Sequence, residues 1–298
     1  MTTHIRCGKL LVGAEDEPRD KMVIAVDGGI IRSVEPEAKL RPGSDGARVL
    51  DYSRQFVLPG LSDIHVHLSY GNSRTQEDID LFASVEYRAL RGMIAAQKAL
   101  RAGFTSIADP ATTGRVSLAI RDAINAGLFI GPRLMSSGRQ ITNRQGLSDW
   151  YPLWIGVPQT AVGALVTSRD HAIEEIRQQV KDGVDFIKIA MDGDTTNPTS
   201  GLIPGFTADE TESMVKEAHR PRKKVIVHAR GDEGVLYAAR AGVGRCLYAR
   251  PRRRAAKGSW PEGKAGRGIN TIDTPAIRKT GGAPHGRQNR YLQSGLPW

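Results

Sequence analysis

Leu58-Pro59-Gly60-Leu61-Ser62-Asp63-Ile64-His65-Val66-His67-Leu68 is the stretch on which the reading of this chain turns. Pro59-Gly60 breaks whatever precedes it, and the apolar run Ile64–Leu68 predicts a strand. Side chains two apart on a strand point to one face, so both imidazoles of His65-Val66-His67 project together. Two convergent neutral imidazoles make half of a site for a divalent metal such as zinc. A bare HxH pair on an exposed strand is often accidental. Here apolar residues flank it and its strand opens a long α/β run.

Downstream, strands and helices alternate. Strands are predicted at Ile64–Leu68, Phe104–Ala108, Arg133–Ser136, Phe186–Met191 and Val225–His228. Helices are predicted at Glu77–Ala102, Leu118–Ala126, Arg169–Asp182 and Ala208–His219, three of them stopped by Gly103, Gly127 and Gly183. Such alternation means parallel βαβ units, either a barrel or an open doubly wound sheet. No GxGxxG or GxxxxGK[ST] opens any of the helices, which removes the main support for a nucleotide fold.

Upstream, residues 1–56 read as a small β module. Met22-Val23-Ile24-Ala25-Val26 is a buried-strand run, and Asp27-Gly28-Gly29 a tight turn into Ile30-Ile31. Residues 57–243 carry the alternating pattern, and 244–298 break it. The 298 residues are 40% hydrophobic and 25% charged, with a net charge of +10. That charge is local: residues 244–298 hold 12 Lys and Arg against 2 Asp and Glu, leaving 30 of each sign in the rest. Nine Arg, nine Gly and five Pro fill this tail, too few apolar residues to offset the entropy of ordering, so it is expected to be irregular and disordered. No stretch approaches the roughly 20 apolar residues of a membrane span. Two cysteines, Cys7 and Cys246, make no disulfide framework and no CxxC pair, which points to reduced thiols in the cytoplasm.

Two further residues carry chemistry. Lys188 sits in Asp185-Phe186-Ile187-Lys188-Ile189-Ala190-Met191, where an ammonium is costly unless neutralised or paired. A buried amine of depressed pKa can add carbon dioxide and become a carbamate, an anionic ligand able to bridge two metals; pairing with a neighbouring Asp is the alternative. His228 closes Val225-Ile226-Val227-His228. In a parallel barrel, strand C-terminal ends converge on one face, which would bring His65, His67, Lys188 and His228 to one mouth. Arg230 stands two residues beyond and could meet a substrate carboxylate. The loop from Ser136-Ser137-Gly138-Arg139-Gln140 to Trp150-Tyr151-Pro152-Leu153-Trp154 should line the entrance.

At these residues the chain resembles the amidohydrolase superfamily, in particular its metal-dependent dipeptidase, prolidase-like and imidazolonepropionase-like members. Val57–Leu68 is similar to that family's first barrel strand, Ala102–Asp109 to its second, Arg121–Leu134 to the next helix and strand. Asp185–Ile189 matches the strand presenting the carboxylated lysine, and Val227-His228-Ala229 the next metal histidine. The resemblance covers residues 1–243. It implies a (β/α)₈ TIM barrel, here incomplete with about five strands, carrying a small β-sandwich. It implies hydrolysis of an amide or peptide C–N bond in a small-molecule or dipeptide-like substrate. The ligands would be His65, His67, carboxylated Lys188 and His228, holding one or two zinc ions, with carbon dioxide needed for the lysine.

Two family features are not found: a further metal histidine within about twenty residues of His228 and the general-base aspartate; Asp273 is not assigned to that role. The break at 243–244 coincides with the charge jump, so residues 244–298 are read as a frameshifted end of a truncated amidohydrolase. DNA sequence across codons 240–250 tests this. A catalytically inactive homologue with a partial metal site is the alternative. A nucleic-acid binder acting through the basic tail is disfavoured, because no folded module surrounds its few aromatic rings. Neither a membrane nor a nucleic acid is an expected partner, and a homo-oligomer is left open.

Overall fold

A computed structural model describes residues 2–13, 17–39, 46–71, 73–144, 146–193, 202–247 and 271–273. The chain divides into two compact units, one of residues 1–60 and one of 61–280, for the parts described. The division falls at Gly60 and Leu61 rather than after residue 56, because the last strand of the first unit runs on to Val57 and Pro59-Gly60 supplies the break.

The first unit is a four-stranded sheet of β1 (Thr3–Leu10), β2 (Arg19–Asp27), β3 (Ile30–Pro36) and β4 (Arg48–Val57), in the order β3-β2-β1-β4. Gly28 and Gly29 both have positive φ (58° and 77°), and Asp27 pairs with Ile30 across them. This two-residue turn matches the twist of the strands it joins. Cys7, Leu10, Met22, Ile24 and Val26 form the unit's core.

The second unit carries the alternation. Its elements are β5 (Leu61–Asp63), α1 (Gln76–Asp80), α2 (Val85–Arg101), β6 (Phe104–Asp109), α3 (Val116–Asn125), β7 (Arg133–Ser136), β8 (Gln140–Thr142) and β9 (Gly163–Leu165). They continue as α4 (Arg169–Lys181), β10 (Phe186–Ala190), α5 (Ala208–His219), β11 (Lys224–His228), α6 (Asp232–Arg240), β12 (Arg245–Leu247) and β13 (Thr271–Asp273). Two ladders result, β5-β6-β7 and β13-β12-β11-β10-β8-β9, parallel throughout except for the β12–β13 pair. All five residues of β10 are buried, as a parallel strand covered on both faces requires.

Among the bonds that tie the ladders together is a set at Asp185. Asp185 donates its backbone N–H to the Ser136 carbonyl (2.8 Å), and its carboxylate accepts the Ser136 N–H (2.8 Å) and Arg121 Nη1 (2.9 Å). Between β7 and β8 the chain passes from one ladder to the other through Ser137-Gly138-Arg139, where Gly138 takes a φ of +69°. Each ladder has its own apolar core. One gathers Leu68, Met93, Ile107, Val116, Ile120 and Leu134; the other gathers Ile141, Ile187, Ile189, Met214, Val225 and Val227.

Three local expectations are corrected. The single helix Glu77–Ala102 is two helices, because Asp80 turns inward to accept the Val162 N–H (3.2 Å) and Ser84 restarts the helix by capping the Tyr87 N–H (3.3 Å). The strand placed at Ile64–Leu68 is β5, earlier in the chain. The boundary at 243–244 is overrun by β12, whose Cys246 is buried beside β11. Apart from 244–247 and 271–273, the basic tail lies outside the described residues.

Candidate metal centre

His65 and His67 lie just beyond β5 rather than on it. Asp63 ends the ladder by accepting the His65 N–H on its own carboxylate (3.0 Å), a local turn that competes with strand pairing. Pairing resumes one residue later, where Val66 donates to the Ala108 carbonyl (3.0 Å). The two imidazoles still come together. Their centroids are 5.0 Å apart, edge to face at 72°. His67 also stacks on Tyr70 at 4.5 Å.

The His67 ring is fixed through Nδ1, 2.9 Å from the Ala111 carbonyl oxygen. A carbonyl can only accept, so Nδ1 carries the proton and Nε2 is the lone-pair nitrogen of the neutral ring. Burial pushes the His65 pKa down to about 3 and the His67 pKa down to about 4, and the charge of Lys188 adds to both shifts. Both rings are therefore neutral near pH 7, the form that can ligate a metal.

Lys188, in the middle of β10, is 1% exposed. Its amine is pushed down to about 7 by burial, against which Cys246 and Asp192 pull it up. The attraction of Asp192 keeps pairing with a neighbouring Asp as the alternative to a carbamate. Its charge lowers the pKa of His65, His67 and His228 alike, so it lies near all three.

His228, at the end of β11, is buried, and burial lowers its pKa. Its Nε2 faces Asp192 Oδ1 at 3.3 Å. The other oxygen of Asp192 accepts the backbone N–H groups of Arg230 (2.5 Å) and Gly231 (2.8 Å). Arg230 thus sits at the rim of the same cluster. The aromatics expected at the entrance divide: the Tyr151 hydroxyl donates to the Gln76 carbonyl (3.1 Å), whereas Trp154 stands 86% exposed.

Two carboxylates at this cluster carried no role in the sequence reading. Asp192 lies four residues past Lys188, and Asp109 ends β6 opposite the histidine pair. Both are fully buried, and the signal that the sequence offers for them is an acid directly after apolar strand residues, Ile107-Ala108 before Asp109 and Ala190-Met191 before Asp192.

The donor set suits a borderline-soft cation: three imidazoles held neutral by burial and a lysine whose amine is half deprotonated near pH 7. Among the described residues, however, no group of three or more His, Cys, Asp and Glu is gathered closely enough to hold a metal by itself. Lys188, buried in the middle of β10, is the remaining ligand that the sequence suggests.

The sequence profile of the Amidohydrolase family matches residues 56–276. Ochratoxinase of Aspergillus niger is 27% identical over 252 residues, 78% of this chain and 51% of that protein. A crystal structure of a Xaa-Pro dipeptidase with methionine bound in its active site superposes with a TM-score of 0.72 at 29% identity, over 82% of this chain and 60% of that one. A putative prolidase from Bifidobacterium longum superposes at 0.63 with 27% identity, over 81% and 53%. The chain thus spans about half the length of the curated relatives it matches.

Proposed function

Since the chain belongs to the amidohydrolase family, we propose that it hydrolyses an amide or peptide C–N bond at a divalent-metal centre held by His65, His67, Lys188 and His228. The substrate class we assign is dipeptide-like, of the Xaa-Pro kind, or a cyclic amide. The observation that carries the reading is the histidine pair, with ring centroids 5.0 Å apart and the His67 Nδ1 committed to the Ala111 carbonyl, in a chain that also buries Lys188 and His228.

A bound zinc ion, or a pair, would supply a water of lowered pKa and polarisation of the scissile carbonyl. The chain's own residues prepare for that. His67 offers Nε2 because Nδ1 is committed to the Ala111 carbonyl, and His65 stands beside it. The free amine of Lys188 can add carbon dioxide: an N–C bond forms, one amine proton leaves, and the carbamate oxygens become anionic ligands. Arg230 is assigned to the substrate carboxylate. The buried thiols of Cys7 and Cys246, joined in no disulfide, suit a reducing cytoplasm. No helix among the described residues is long and apolar enough to cross a membrane.

Zinc analysis of the purified chain, followed by turnover of Xaa-Pro dipeptides and N-acyl amino acids, tests this reading. Bound zinc with turnover of either class is the expected result, and a chain that takes up no zinc would overturn it. A second reading, a catalytically inactive relative with a partial metal site, is favoured by the lack of a three-donor His, Cys, Asp and Glu group among the described residues. Zinc binding without turnover of any amide is its signature.

A further inference from the structure

Asp109 is fully buried at the end of β6, and its hydrogen bonds converge on one neighbour. Oδ2 accepts the backbone N–H of Leu68 (3.0 Å), the residue after His67, and the Ser117 hydroxyl. Oδ1 accepts the N–H of Ala111 (3.1 Å), the residue whose carbonyl takes the His67 Nδ1 proton. Oδ1 itself stands 3.9 Å from that nitrogen. The backbone beside the imidazole and the acceptor of its ring proton therefore hang on the same carboxylate. From this geometry we infer that Asp109 is a positioning residue, which holds His67 as the Nδ1–H tautomer and so fixes Nε2 as its ligating nitrogen. As a metal-site role, this rests on the reading proposed above.

The chemistry needs both oxygens as acceptors. An asparagine at 109 offers one acceptor oxygen and an NH₂ that can only donate. Either the Leu68 or the Ala111 N–H then loses its buried partner, and one of the two supports of the ring moves away. Groups that orient a metal-bound histidine in this way change metal affinity by about 10–100-fold when removed.

Two measurements test the assignment. The first is ¹⁵N NMR of metal-free, [¹⁵N]histidine-labelled protein, in solution or as a solid, with the His67 signals identified by their loss in His67→Gln. The wild type should show a protonated Nδ1 and a bare Nε2, and Asp109→Asn a mixture of tautomers. The second is zinc affinity by chelator competition, which should fall on the order of 10–100-fold in Asp109→Asn. A wild type with Nε2–H, or an Asp109→Asn protein with unchanged tautomer and zinc affinity, would overturn the inference. Should Asp109→Asn not fold, Ser117→Ala removes only the hydroxyl donor to Oδ2 and should move both readouts in the same direction; no movement in either overturns it. The tautomer is read without metal. A wild type that binds no zinc, while the tautomer still depends on Asp109, would sink the metal reading and leave the positioning of His67 standing.

Discussion

Replacing Lys188 by methionine should stabilise the metal-free protein, and the gain should shrink as pH rises. The side chain is 1% exposed and its amine is lowered to about 7 from an ordinary 10.5. Below 10.5 the unfolded chain binds a proton that the folded chain accepts only near 7, so stability falls as pH drops from 10.5 to 7 and then levels off. At about 1.4 kcal/mol per pKa unit, the cost at pH 7 is about 4 kcal/mol. Between pH 7 and pH 9 about 2 kcal/mol of it is relieved. Methionine has similar length, no charge and a flexible chain that fills the same space. Urea unfolding of both proteins at pH 7, 8 and 9, with chelator and without carbon dioxide, measures the difference. Asp109, raised to about 7, titrates in both proteins and cancels in the comparison, and the buried Cys246 thiol, raised to about 12 despite the charge of Lys188, stays protonated in both folded proteins up to pH 9. The variant should be the more stable at pH 7, by up to the full cost, with the two curves converging by about 2 kcal/mol toward pH 9. A difference that stays flat over that range would refute the picture of an amine whose burial outweighs the pull of Asp192. A variant less stable at every pH would show that the ammonium is paired after all.

Other outcomes follow from the same cluster. His65→Ala should strip most bound zinc from the purified protein while leaving its circular-dichroism spectrum largely intact; unchanged zinc stoichiometry would remove His65 from the ligand set. With zinc and bicarbonate present, the native mass of the wild type should rise by one carbon dioxide and that of Lys188→Met should not, and equal masses would end the carbamate assignment. Ile189→Ala, in a fully buried strand, should cost about 2–5 kcal/mol in urea unfolding through the cavity it opens, and a loss under 1 kcal/mol would show that β10 repacks freely.

The parts of this fold that are legible in the sequence are those decided by neighbours in the chain. The run Met22–Val26 and its Gly28-Gly29 turn form the hairpin they spell, and the burial of Lys188 follows from Phe186, Ile187, Ile189 and Ala190 around it. What stays hidden is decided by distant partners. The helix after β5 breaks because Asp80 binds Val162, eighty-two residues away, a competition that periodicity does not register. The histidine pair leaves the strand because the Asp63 side chain offers a closer acceptor than the ladder does. Asp109 and Asp192 gain their roles only through contacts across some forty residues, to Leu68 and to Arg230. Spacing does bring His65 beside His67, and for a reason other than strand alternation.

The passage of the chain from β7 to β8 has a mechanical consequence. His65, His67 and Asp109 belong to one ladder, Lys188 and His228 to the other, with a glycine in the left-handed region at the crossing and the Ser136–Asp185 clasp beside it. Such a joint puts the cluster across a seam between the ladders. The clasp has company: the Ser137 N–H donates to the Asp109 carbonyl (3.1 Å), the Thr112 N–H to the Gly138 carbonyl (3.0 Å), and Leu118 of α3 packs into the core of the other ladder, so parting the two halves breaks all of these together. An ion bound by both halves would act as a rivet across that seam, adding to the bonds that already hold it.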